Sequence, residues 1–200
     1  MENLSVSKNI LHRLSSENSL TQLNYIYSLL ILAAMAFILT TAMYMQLVYS
    51  EYPCPLCLLQ RVAYFGVCFG VILNLRNGYS MRYEGLTLLS TILLLIISSR
   101  QTLLDIYPRP GHEYIGSAFL GLHMPVWSIV FSILLLLAYA IRFCILGFGD
   151  YLTKSSLKSY PKTALLAGML MWLVIVLCGL NVLSTFFQCG FSACHTFVKV

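Results

Sequence analysis

Seven cysteines occur in this chain, and four of them form two close pairs, Cys54/Cys57 and Cys189/Cys194. Thiols at such spacings can close a disulfide, exchange it with another protein, or supply half of a metal site. The first pair sits in Tyr52-Pro53-Cys54-Pro55-Leu56-Cys57, at the threshold of an apolar run. Pro55 suits the first position of a helix, where a missing N–H costs nothing. That puts Cys54 at the N-cap and Cys57 in the first turn, where unpaired N–H groups and the helix dipole favour a thiolate. Arg61 follows Cys57 by one helical turn and shares its face. A cation beside a thiolate at a membrane surface suits a sulfur that gives up electrons. The plainer readings are an arginine that snorkels to the interface, a structural disulfide closing too small a loop to gain much entropy, and half of a zinc site with no second ligand pair nearby in sequence.

The second pair lies in Cys189-Gly190-Phe191-Ser192-Ala193-Cys194. Gly190 permits a tight turn, so these sulfurs can bond each other or exchange with Cys54 or Cys57. A structural staple on a short tail is the alternative.

These pairs must be positioned by elements built for lipid. Of the 200 residues, 59% are hydrophobic and 10% charged, with a mean hydropathy of +0.82. Soluble domains carry about 25% charged residues, and a chain this short cannot bury so much apolar surface within itself. Five runs are long enough to cross a bilayer as helices: 25–49, 58–75, 85–107, 125–148 and 163–187. The expected fold is an all-α polytopic bundle spanning 25–187, with a polar tail or surface helix at 1–24 and a cysteine-bearing tail at 188–200. The first run is too long for a cleaved signal and has no small-residue cleavage site after it, so it is expected to remain as the first span.

Orientation follows from the bases. Lys8, Arg13, Arg76, Arg82, Arg142, Lys154, Lys158 and Lys162 fall on one side, against Arg109 and Lys199 on the other. The positive-inside rule then puts the N-terminus in the cytoplasm and the C-terminus outside. Distributed this way, the net charge of +5 reports topology and not a nucleic-acid partner. Four spans separate the two cysteine pairs, so both emerge on the outer face, where disulfides persist.

Other polar residues are weaker candidates. Arg100 and Gln101 are costly in lipid and are expected to face the bundle interior. Asn181 reads as interhelical glue, Trp127 as an interfacial belt residue, and Cys68, Cys144 and Cys178 as small packing residues. The connector 108–124 begins with the helix-breaking Pro108-Arg109-Pro110-Gly111, and its stretch from Ile115 to Met124 is apolar enough to lie on the membrane surface.

The segment CPLCLLQR, residues 54–61, resembles the CxLCxxxR segment of the DsbB family, membrane oxidases that regenerate periplasmic disulfide-forming proteins. Ser99-Arg100-Gln101 through Pro108, LGLHMPVW at 120–127 and NVLSTFFQCGFSAC at 181–194 are similar to a DsbB-like bacterial branch with an extra C-terminal span. The resemblance implies a multi-pass protein of the bacterial inner membrane. In it Cys57 is the sulfur nearest a quinone (ubiquinone or menaquinone), Cys54 is its disulfide partner, and Arg61 steadies quinone and sulfur. His112 and His123 on the outer face are able to hydrogen-bond a quinone carbonyl, or serve as structural interface residues. Cys189/Cys194 would take electrons from a DsbA-like thioredoxin-fold protein. One departure stands out: well-studied members carry their second pair in the connector after span 3, and here 108–124 has no cysteine.

An external electron acceptor fits the energetics. DsbA lies near about −120 mV, so recharging it with a structural disulfide near about −300 mV would run uphill by roughly 8 kcal/mol. The expected activity is therefore thiol:quinone oxidoreduction without a metal. A reductase running the same dithiol chemistry backwards, as in vitamin K epoxide reductase, is a rival reading. So are a thiolate-based membrane metal carrier and a structural membrane subunit.

Overall fold

The computed structural model describes residues 2–49, 53–107, 118–119, 121–146 and 161–190; for 2–18, 118–119, 145–146, 162 and 189 it describes the backbone alone. Five helices dominate: α1 Glu2–Val48, α2 Pro55–Asn77, α3 Met81–Ile106, α4 Met124–Leu146 and α5 Pro161–Cys189. Each contains a stretch long and apolar enough to cross a membrane, as expected. Helices are forced on such segments because lipid offers no partner for a backbone N–H or C=O. The first spanning stretch, Ser19–Val48, starts earlier than the expected 25, and α1 itself continues back through the segment expected as a tail or surface helix.

Part of the connector before α4 forms a two-residue hairpin, with Ala118 opposite His123 and Phe119 opposite Leu122. Gly121 takes φ 75° at its turn, a left-handed conformation that glycine adopts without steric cost.

The core is a seam shared by α1, α2 and α3, to which α4 and α5 add one face each. Leu32, Met35, Leu39, Val67, Cys68, Val71, Leu75 and Leu94 are all but fully buried. Much of the remaining apolar surface, such as Phe37, Leu89, Leu134 and Trp172, points outward, as lipid-facing side chains should. Cys68 packs in this seam, Cys178 is half-buried, and Cys144 is exposed; none of the three is in a disulfide.

Helices α2 and α3 approach most closely. Gly66 and Gly70 stand four apart in α2, and a Cβ at Gly70 would meet the Thr87 side chain and lie 2.9 Å from both the Thr87 nitrogen and the Tyr83 carbonyl. Small residues at this spacing let membrane helices touch backbone to backbone. The α2–α3 turn uses Gly78 at φ 88°. Asn74 closes that turn, its Oδ1 accepting from the Ser80 N–H at 3.0 Å and its Nδ2 donating to Glu84 Oε1 at 2.9 Å.

The same end of the bundle holds a buried ion pair, Arg142 Nη1 to Glu84 Oε1 at 2.7 Å. Arg142 Nε also donates to Asn24 Oδ1 at 2.9 Å, and its Cζ lies 5.1–5.8 Å from the rings of Tyr27, Tyr79, Tyr139 and Phe143. This corrects the reading of Arg142 as a connector base: it lies inside α4, 6% exposed. Its charge answers Glu84 and does not report orientation, although the remaining connector bases keep the same bias.

Candidate functional site

The start of α2 places the first cysteine pair. Cys54 is the N-cap, with extended backbone (φ −68°, ψ 161°), and Pro55 opens the helix. The Cys57 N–H donates to Cys54 Sγ at 3.1 Å, so a sulfur takes the place of the usual capping oxygen. Cys54 and Cys57 form a disulfide with their Cα atoms 5.0 Å apart. Both residues are half-buried; the pair is neither sealed in the core nor fully open.

Two other helices converge on this point. From α3, Gln101 Nε2 donates to Cys57 Sγ at 3.3 Å and lies 3.5 Å from Cys54 Sγ. One amide thus addresses both sulfurs. Gln101 is held near the end of α3, where Gln60 of α2 donates to Ser98 Oγ at 3.2 Å. Its own Oε1 is buried without a partner among the described residues, leaving an acceptor at the sulfurs' edge. From α5, Gln188 Nε2 donates to the Pro53 carbonyl at 3.2 Å, directly before Cys54.

Arg61 lies one turn further into α2, 8% exposed. Its Nη1 donates to Gln46 Oε1 of α1 at 2.5 Å and to Asn181 Oδ1 of α5 at 3.1 Å, with Met43 Sδ at 3.5 Å; its Nη2 donates to the Ala42 carbonyl at 3.1 Å. Every one of these acceptors is neutral. The guanidinium is buried and oriented, yet these bonds do not cancel its charge. Such a group has electrostatic capacity left for an anion that forms nearby, and it is held too firmly for a free snorkel to the interface.

Sequence pattern placed Cys54, Cys57 and Arg61 correctly at one helix start. Gln101 faces inward as expected, but its contact with the sulfurs, and the roles of Gln46 and Gln188, were not foreseen. The only sequence signal for them is an amide near the end of an apolar helix. Arg100 corrects expectation: it is exposed and lines an outward groove with Ile96, Ser99, Leu103 and Tyr107. Adjacent helical residues point about 100° apart, so the inward turn of Gln101 sends Arg100 out. His123 ends the hairpin, half-buried. His112, Cys194 and the side chain of Cys189 lie outside the described residues.

The family profile "Disulfide bond formation protein DsbB" matches residues 24–113, the stretch that supplies Ala42, Gln46, Cys54, Cys57, Arg61 and Gln101. Over that stretch the chain is similar to the DsbB family. Proteins named disulfide bond formation protein B agree with this: one from Cupriavidus metallidurans is 25% identical over 58% of this chain and 89% of its own length. One from Nitrosomonas eutropha is 36% identical over 50% of this chain and 65% of its own length. No solved structure matches the chain at comparable stringency. With five helices long and apolar enough to span a membrane, the chain has the build of a multi-pass membrane protein that is DsbB-like over residues 24–113, with its disulfide at a helix start. The profile match ends before α4 and α5, so Asn181 and Gln188 reach the DsbB-type site from outside it.

Proposed function

We propose that this protein is a thiol:quinone oxidoreductase of the bacterial inner membrane that reoxidises a periplasmic DsbA-like thioredoxin-fold dithiol protein. The observation that carries this reading is a Cys54–Cys57 disulfide contacted by Gln101, one helical turn before a buried Arg61 whose hydrogen-bond acceptors among the described residues are all neutral.

In the proposed sequence, the partner's thiolate attacks the Cys189–Cys194 disulfide, and the partner leaves oxidised with Cys189 and Cys194 as thiols. Those thiols then exchange with Cys54–Cys57, which becomes the dithiol. Support for this handoff comes from the Gln188–Pro53 bond, because Cys189 follows Gln188 and Cys54 follows Pro53. Reoxidation of Cys54/Cys57 releases two electrons and two protons. A membrane quinone, ubiquinone or menaquinone, supplies the two-electron acceptor chemistry when bound.

The residues present suit such an acceptor. Cys57 in the first turn of α2 is stabilised as a thiolate by the helix N-terminus and by the Gln101 amide donor. Arg61 favours negative charge where it develops, and the unpartnered Gln101 Oε1 is able to accept from a hydroxyl. Cys57 and Arg61 are the residues proposed to hold the acceptor, with His123 at the rim. In this reading the N-terminus is cytoplasmic and both cysteine pairs face the periplasm.

The test is the ultraviolet absorbance of quinone after mixing detergent-solubilised protein with a reduced DsbA-like dithiol, beside Cys57→Ser. Catalytic quinone loss that requires Cys57 is expected. No loss with either quinone class sinks the reading, and stoichiometric metal binding by the reduced thiols would then favour a metal carrier.

A further inference from the structure

Helix α5 touches the rest of the bundle along a narrow stripe. Its buried residues are Ala167, Val174, Leu177 and Asn181, spaced as a single helical seam. Flanking residues such as Leu165, Trp172, Val182 and Phe187 are exposed. Asn181, 6% exposed, is the one polar residue in that buried stripe. It sits where the stripe passes Arg61 and accepts from Nη1 at 3.1 Å, while α1 takes the same nitrogen through Gln46 and takes Nη2 through the Ala42 carbonyl. A guanidinium is a planar fork with donors in fixed directions. Acceptors on two separate helices fix both its position and its plane.

The chemical type of the α5 contact is informative. An aspartate at position 181 would have the same shape and a stronger bond to Arg61, but it would cancel the cation. Asparagine holds the guanidinium and leaves the charge available. We propose that Asn181 is a positioning residue that sets the orientation of Arg61, and through it the affinity for the quinone headgroup, so that α5 is a working part of the reaction site. The affinity consequence rests on the quinone reading above; the positioning claim does not.

Two measurements separate these claims. In oxidised protein without quinone, 15N-labelled arginine should show resolved, slowly rotating Nη signals for Arg61, which Asn181→Leu should average. In a quinone titration followed by tryptophan fluorescence, with no dithiol present, Asn181→Leu should weaken binding about tenfold, as expected for one lost hydrogen bond to a charged group. Asn181→Asp should weaken binding at least as much while leaving the melting temperature equal to or above wild type. If Asn181 served only to tie α5 to α2, Asn181→Leu would lower the melting temperature without changing quinone affinity. Unchanged Arg61 signals in Asn181→Leu, or wild-type quinone affinity in both variants, would overturn the proposal. A wild-type protein that binds no quinone would instead strike the functional reading, and the arginine signals would still decide the positioning claim.

Discussion

Among the described residues two arginines are buried, and their surroundings differ in one respect that separates structure from chemistry. Arg142 meets a carboxylate, Glu84, and is further enclosed by four aromatic rings. Arg61 is about as deeply buried but is held by two side-chain amides, a thioether and a carbonyl. The first charge is compensated by its own fold, although Arg142 Nη2 and Glu84 Oε2 are buried without hydrogen-bond partners among the described residues. The second keeps its charge at a cost in desolvation that neutral acceptors repay only in part. Among the described residues no carboxylate pairs with Arg61, and its neighbour one helical turn away is the Cys54–Cys57 disulfide. The two sites lie at opposite ends of α2, about 25 Å apart at 1.5 Å per residue from Cys57 to Asn74.

Substitution should separate the two arginines cleanly. Arg142→Ala leaves Glu84 buried and unpaired, so a loss of about 3–5 kcal/mol is expected, read as a large drop in thermal stability in detergent. The double variant Glu84→Gln/Arg142→Met should recover most of that loss. Arg61→Met removes an uncompensated charge, so stability should hold or rise. Quinone-dependent turnover should nevertheless fall about 10²–10³-fold, as when one preorganised charge-stabilising donor is lost. A stability loss for Arg61→Met as large as that for Arg142→Ala would erase the distinction.

Smaller effects sharpen it. Gly70→Ala drives a methyl into Thr87 and the α3 backbone and should cost about 1–3 kcal/mol, measured as a lower melting temperature. Gln101→Leu removes the donor shared by both sulfurs and should slow quinone-dependent turnover about tenfold, with the melting temperature little changed.

The spans were legible from hydropathy because lipid imposes one requirement on every residue of a segment. The Cys54 cap and Pro55 start were legible because capping is local chemistry. The partners of Arg61 were not, since Asn181 is 120 positions away and an amide in an apolar helix does not announce which neighbour it meets. Arg142 misled for a related reason. A base near the end of an apolar run reads as a topology signal until Glu84, on another helix, is seen to face it. Arg100 and Gln101 show the limit at finer grain: sequence put both near a helix end, and only the rotation of α3 decided which one turned inward.

The most direct test of the account is a single-turnover experiment without any protein partner. Protein carrying Cys189→Ser and Cys194→Ser is fully reduced, freed of reductant and mixed anaerobically with quinone. The account predicts one quinone consumed per protein as the Cys54–Cys57 disulfide re-forms, and none when Cys57→Ser is added. Equal quinone consumption with and without Cys57 would contradict it, because electrons would then be leaving by a route that bypasses the site at the start of α2.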